Sequence, residues 1–197
     1  MFKTKFKWQK TLFGDQDLSY PNDRYLSYVT PYDVGQSVLR FAETDFKNIG
    51  SKVLWDMFAG IGTDSLLFAS RFQNVVATEL QHEVYLCGKK NTDGRENIIF
   101  LNEDCSNVKT RFNADVVYFD PPWGANFISG KPFSFENEHL SNGTGILDLL
   151  ERIPCPEIII KAPLLCDSFE TLFPPKCIKR VYLCTEKKLK FIFVQKR

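Results

Sequence analysis

The chain has no uninterrupted apolar run approaching the about 18 residues that a membrane-spanning helix needs. Its start, Met1-Phe2-Lys3-Thr4-Lys5, carries no signal-peptide apolar region, so no membrane partner is expected. Histidine is scarce, with His82 and His139 alone, and the six cysteines include no C-x-x-C pair. Cys87, Cys105, Cys155, Cys166, Cys177 and Cys184 therefore offer no zinc-ligand grouping, and no metal centre is expected. They read instead as reduced thiols filling the core of an intracellular protein, nuclear or cytoplasmic. Internal repeats and low-complexity stretches are also missing. At 197 residues and 44% hydrophobic composition, one substantial core and a monomeric single domain are expected.

What is present is an uneven charge. The net charge is +1, yet the first ten residues hold four Lys and no acid. Residues 176–197 hold eight Lys or Arg against Glu186 alone. The ends thus carry +4 and +7, which leaves −10 for residues 11–175. Basic ends around an acidic middle suit a phosphate-bearing substrate and a cationic cofactor. The competing reading is a solvated edge, because lysines on outer strands also blunt strand pairing.

Apolar runs set the organisation. Strands are expected near 52–57, 74–79, 98–102, 115–119, 157–162, 178–185 and 189–195. Helices are expected near 63–72, 81–93, 105–111, 143–152 and 166–173, with a short one at 7–13. Thr30 with Pro31 and Asp33 reads as the capped start of a helix reaching Phe46, with Val34, Val38, Leu39 and Phe41 inward. Alternating strands and helices argue an α/β fold with a mainly parallel sheet covered on both faces. The last two strands, joined by Glu186-Lys187-Lys188, read as an antiparallel hairpin ending it. The longest polar loop, Gly124 to Asn142, carries Phe127, Phe133 and Phe135, which either flank a ligand or pack beneath the loop.

Asp120-Pro121-Pro122-Trp123, directly after Val116-Val117-Tyr118-Phe119, is the most specific local pattern. Prolines fix φ and lack N–H groups, so the turn is stiff and its carbonyls face outward as acceptors. Asp120 and the Pro121 carbonyl can both accept from a planar amine, and Trp123 offers a ring for the base carrying it. Such an amine is a weak nucleophile because its lone pair spreads into the ring. Two acceptors on its hydrogens favour a pyramidal nitrogen with the lone pair aimed at an electrophile.

Upstream, Val53-Leu54-Trp55-Asp56-Met57-Phe58-Ala59-Gly60-Ile61-Gly62 reads as strand and glycine turn leading to a helix. Ser65 stands where a G-x-G-x-x-G phosphate loop has its third glycine, which disfavours NAD or FAD. Asp56 is placed for the ammonium of an amino-acid moiety. Glu79, closing the second strand, is placed for two ribose hydroxyls, and Asp104 for an adenine amine. Ammonium, ribose and adenine together describe S-adenosylmethionine. Each carboxylate alone is more often a capping or surface residue; three at successive strand ends, followed by DPPW, make the stronger case.

The F-x-G-x-G turn followed by DPPW resembles Rossmann-like methyltransferases acting on exocyclic amines of bases. More closely, the chain resembles the trimethylguanosine synthase family, the RNA cap guanine-N2 methyltransferases. The likeness takes in Trp8 with Leu12-Phe13, Val29-Thr30-Pro31, the Asp56–Gly62 loop, Asp120 to Gly124, and the strand pair around Lys188-Leu189-Lys190. It implies a class I methyltransferase core over 47–197, with residues 1–46 capping the pocket. It implies S-adenosylmethionine bordered by Thr30, Pro31, Phe58, Gly60 and Gly62, and 7-methylguanine of a capped RNA against Trp123, Pro122 and Gly124. Two departures stand out. Ala125-Asn126 follows Gly124 where the family has G-P, and Pro163-Leu164-Leu165 replaces Pro-Arg-Asn, whose arginine lies near the cap phosphates. An adenine-N6 enzyme, a guanine-N2 enzyme of ribosomal or transfer RNA, and a binding protein without turnover are the alternatives; intact Asp56, Glu79, Asp104 and Asp120 speak against the last.

Overall fold

In the computed structural model, residues 18–107, 113–124, 130–166 and 172–196 are described. Trp8, Leu12, Phe13 and Phe127, the expected helix at 7–13, and much of those at 105–111 and 166–173 lie outside them. Seven strands form one sheet: β1 (Val53–Asp56), β2 (Asn74–Thr78), β3 (Ile98–Leu101), β4 (Val116–Phe119), β5 (Glu157–Pro163), β6 (Ile178–Cys184) and β7 (Leu189–Gln195). Their order is β3-β2-β1-β4-β5-β7-β6. The first five run parallel, and β7 enters antiparallel between β5 and β6. The described helices include α1 (Tyr32–Phe46), α2 (Thr63–Ala69), α3 (His82–Asn91) and α4 (Ile146–Arg152).

A parallel sheet buried on both faces needs continuous apolar strands, which is why these runs do not alternate with polar residues. Successive residues go to opposite cores. Val117, Phe119, Ile158 and Ile160 join Phe133, Phe135 and the apolar side of α4. Val116, Tyr118, Ile159 and Phe191 join Val34, Val38 and Leu39 of α1 and Phe68 of α2. Phe133 and Phe135 are 0% and 2% exposed, so they pack beneath the loop and do not flank a ligand. The sheet order reverses at β1, between β2 and β4. In open α/β sheets, ligands bind at the carboxyl ends of strands at such a switch point.

Strand boundaries fall within a residue or two of expectation. Two local readings need correction. Pro31, not Thr30, is the residue before α1, and no side chain caps that helix. The Thr30 hydroxyl instead donates to Asp64 Oδ2 at 2.8 Å, a tertiary bond that local spacing cannot reveal. Phe41 faces inward as expected: half-buried, it packs against the core, meets Tyr182 and Phe193 edge-on and carries the Arg180 guanidinium over its ring at 4.4 Å. A 3₁₀ turn at Asp23–Tyr28 was not anticipated; Asn22 caps it by accepting from the Arg24 N–H.

Candidate active site

Four strand ends and two loops converge at the switch point. After β1, the chain turns through Phe58, Ala59, Gly60 and Ile61 into α2. Gly62 sits at φ +83, and an added Cβ would lie 3.0 Å from Phe100 and 3.1 Å from Thr92, so both conformation and space demand glycine. Nothing approaches within 4 Å of the Cβ position at Gly60, leaving open space above that turn. Phe58 is half-buried and packs edge-on against Phe119, with centroids 5.3 Å apart.

Asp56, at the end of β1, is 1% exposed. Its Oδ2 accepts from the Ser65 hydroxyl at 2.6 Å, while Oδ1 finds no partner among the described residues. Burial pushes the carboxyl up to about 8 against the Ser65 hydrogen bond, and the neighbouring Asp64 and Asp120 add to the rise. A buried carboxylate oxygen with no donor is costly, and a cationic ligand would offset that cost.

Glu79 follows β2 and clips the glycine turn. Its Oε2 accepts from the Gly60 N–H at 3.0 Å and its Oε1 from the Gln81 N–H at 2.8 Å. Burial raises its carboxyl although these amides pull the other way. Asp104, beyond β3, accepts from Ser106 through both N–H and hydroxyl, and from Asn142 Nδ2 at 2.8 Å. Burial would raise this group, but the hydrogen bonds outweigh it and hold the carboxyl below its ordinary value. Asn142, on the far side of the polar loop, was not singled out in the sequence; it ties that loop to the third acidic position.

Asp120 follows β4. Its Oδ2 lies 2.7 Å from Lys161 Nζ, on β5. Phe119 is in register with Ile160, so the next residue on each strand falls side by side. Lys161 is 2% exposed. Its ammonium also lies 3.9 Å from Asp64 Oδ2 and 3.3 Å from the Tyr28 carbonyl. Asp64 collects the Thr30 hydroxyl and the Tyr118 hydroxyl, the latter at 3.1 Å. Neither Lys161 nor Asp64 was named from sequence. The available signal was a lysine in the apolar run Ile158-Ile159-Ile160-Lys161-Ala162, since a lysine buried in a strand requires a partner.

The structure thus brings Thr30, Asp56 and Asp120 together through Asp64 and Lys161. Glu79 and the glycine turn form a second patch, and Asp104 a third. Pro121 is buried, Pro122 exposed, and Pro31, Trp123 and Gly124 half-buried. Trp123 packs against both cores, and the Lys161 ammonium lies over its ring, 5.9 Å from the centroid. Gly124 adopts φ +72, and an added Cβ would fall 2.1 Å from Glu138 Oε2. Asp64 and Asp120 pair with one ammonium, and the charge of Asp56 also reaches it. That arrangement fits a positively charged ligand, and Gly60 leaves space beside it. No group of three metal-ligating side chains occurs among the described residues.

Comparison with known proteins fits this geometry. The RNA cap guanine-N2 methyltransferase family matches residues 51–162, from just before β1 to within β5. An uncharacterised RNA methyltransferase of Caldanaerobacter subterraneus is 29% identical over 79 residues, 38% of this chain and 18% of that protein's length. A Pyrococcus horikoshii structure assigned as an RNA methyltransferase superposes with TM-score 0.66 at 16% identity, covering 95% of this chain and 96% of its own. The T. thermophilus 16S rRNA guanine-N2 methyltransferase, solved with AdoMet and guanosine, gives 0.60 at 17% identity over 86% of this chain and 44% of that one. A SAM-dependent methyltransferase of Aquifex aeolicus gives 0.56 at 13% identity over 88% and 93%. The fold is the class I S-adenosylmethionine-dependent methyltransferase fold. With more than half of its length matched, the chain belongs to the RNA cap guanine-N2 methyltransferase family.

Proposed function

We propose that this chain transfers a methyl group to the exocyclic N2 of guanine, with 7-methylguanosine of an RNA cap as acceptor. The observation that carries it is the Asp120-Pro121-Pro122-Trp123 turn, held at the switch point beside the buried Asp56 and the open glycine turn. S-adenosylmethionine is the cofactor, and when bound it supplies an electrophilic methyl. The free Oδ1 of Asp56 takes its ammonium, Glu79 its ribose hydroxyls and Asp104 its adenine amine. Thr30, Pro31, Phe58, Gly60 and Gly62 border it.

On the acceptor side, Asp120 and the Pro121 carbonyl take the N2 hydrogens, while Trp123, Pro122 and Gly124 hold the ring. The methylated N2 would be acidic and would lose its proton to water, so Asp120 need not be a strong base. Rate comes chiefly from positioning and from excluding bulk water. The segment 18–46 closes over the pocket, and the basic ends of the chain steer the phosphates. A cation over the Trp123 face gains roughly 0.5–2 kcal/mol, which favours 7-methylguanine over neutral guanine.

Two features favour a second reading, a neutral guanine within structured RNA. The Lys161 ammonium already lies over Trp123, and Leu164, half-buried, stands where the family's phosphate-contacting arginine is expected. Incubation with labelled cofactor and 7-methylguanosine triphosphate, GTP or structured RNA separates the readings. The cap reading expects turnover of the 7-methyl form at least several-fold above GTP, from the charge on the base. Trp123→Ala should abolish cap binding and Trp123→Phe retain part of it. Equal turnover of the two nucleotides removes the cap, and turnover of structured RNA alone establishes the second reading.

A further inference from the structure

Lys161 has no role in the chemistry as set out so far, yet its position is expensive. An ammonium buried to 2% exposure is stable only when its charge is met. Its surroundings meet it asymmetrically: Asp120 Oδ2 at 2.7 Å, Asp64 Oδ2 at 3.9 Å and the Tyr28 carbonyl at 3.3 Å. Asp64 is also occupied by the Thr30 and Tyr118 hydroxyls, so its charge is shared among three donors. The Asp120 side chain has Lys161 as its one hydrogen-bond partner among the described residues.

We propose that Lys161 is a positioning residue for methyl transfer: it holds Oδ2 of Asp120, fixes the carboxylate rotamer and keeps it ionised, so that Oδ1 is presented to the exocyclic amine. The proposal rests on the reading of Asp120 as the amine acceptor. A carboxylate held at one oxygen by a buried strand residue cannot swing, and only its ionised form offers acceptors alone. The lysine is well suited because β5 is buried along its whole length and continues the sheet beside β4.

Electrostatics support the geometry. Burial drives the Asp120 carboxyl up to about 6, Lys161 pulls it down and Asp64 adds to the rise. Burial likewise opposes the Lys161 ammonium, but Asp120 and Asp64 outweigh it and raise its pKa above the ordinary value. The groups facing this pair are Asp56 from the end of β1, Asp64 from α2, Tyr118 from β4, and Thr30 with the Tyr28 carbonyl from the segment before α1. Without Lys161, Asp120 faces burial and two acidic neighbours with no opposing cation.

The test is the pH profile of kcat in wild type, Lys161→Met and Lys161→Arg, with the cofactor KM measured in parallel. In wild type, activity falls as pH drops through the Asp120 pKa. Lys161→Met should lower kcat at neutral pH at least about 30-fold and move the acid limb up by about a pH unit or more, with rate recovering toward pH 9. Its cofactor KM should stay within about threefold, because the lost contact lies on the acceptor side. Lys161→Arg keeps the charge, so its acid limb should stay within about half a unit of wild type. A folded Lys161→Met whose acid limb coincides with wild type overturns the proposal.

Should Lys161→Met fold poorly, the Asp120→Asn background supplies the second measurement. There the carboxylate is already gone, so adding Lys161→Met should cost less than about twofold further in kcat. A full further loss identifies a merely structural lysine. Asp120→Asn alone separates the layers of argument. If it retains wild-type kcat, the reading of Asp120 fails; if it is impaired while Lys161→Met is not, only the present inference fails.

Discussion

Asp56 offers a test in which stability and binding must move in opposite directions. The carboxyl is 1% exposed, has one oxygen without a partner among the described residues, and is raised by burial from 3.8 to about 8. Because the folded-state pKa is raised, the folded protein keeps a proton that the unfolded chain has already released between those two values. Stability therefore falls as pH rises through that window and levels off above about 8. Integrated from about pH 5 to 8, the loss is about 3–4 kcal/mol. Asp56→Asn does not titrate and still accepts from Ser65, although its buried amide N–H brings a pH-independent cost of about 1–3 kcal/mol. Urea unfolding of the ligand-free protein should therefore show the variant gaining on wild type by about 3–4 kcal/mol between pH 5 and 8. In the same variant, S-adenosylmethionine should bind more weakly by about 1.5–3 kcal/mol in calorimetry, since a charge-assisted contact to its ammonium is gone. Saturating cofactor should also stabilise wild type more at pH 8 than at pH 6, because the ammonium favours the ionised carboxylate. Parallel stability curves for the two proteins, together with equal cofactor affinity, would refute the reasoning.

The parallel part of the sheet was legible because a parallel strand buried on both faces must be an apolar run, and five mainly apolar runs, β1 to β5, stand between turn signals. The antiparallel ending was legible for a similar reason: Glu186-Lys187-Lys188 is too short for a crossover, so the strands it joins can only form a hairpin. The acidic strand ends were visible as residues but not as a network. Nothing in the local sequence couples Asp120 to Lys161, 41 positions away, or Thr30 to Asp64, 34 away. Those contacts depend on strand register and on how α1 and α2 lie against the sheet. The misreading of Thr30 as a helix cap has the same origin. A threonine before Pro31 has every local qualification for capping, and the half-buried Asp64 carboxylate offered its hydroxyl a partner that no local spacing announces. Asn142 escaped notice because a polar residue in a long loop carries no periodicity. Asp64 was hidden because an acid in the first turn of a helix is ordinary by itself.

Two further substitutions probe the site from opposite sides. Glu79→Ala removes the acceptor of both the Gly60 and Gln81 amides. It should weaken S-adenosylmethionine binding by about 1.5–3 kcal/mol and speed hydrogen exchange at Gly60; unchanged affinity with intact fold would remove Glu79 from the cofactor site. Gly124→Ala acts on the acceptor side, where φ is +72 and the new methyl would lie 2.1 Å from Glu138 Oε2. The left-handed backbone costs about 1–2 kcal/mol for a non-glycine residue. The clash falls on the end of a flexible side chain, so Glu138 can swing aside and the stability loss should stay near that figure. The turn itself has no such freedom, because Pro121 and Pro122 fix φ on one side and Trp123 is packed into both cores. Displacement of the turn should therefore lower kcat by about tenfold or more, since a shift of about 1 Å at a positioned group costs that much or more. Cofactor affinity should stay within a few-fold. A variant that loses cofactor binding while keeping its thermal midpoint would place Gly124 beside the methyl donor and take it out of the acceptor pocket.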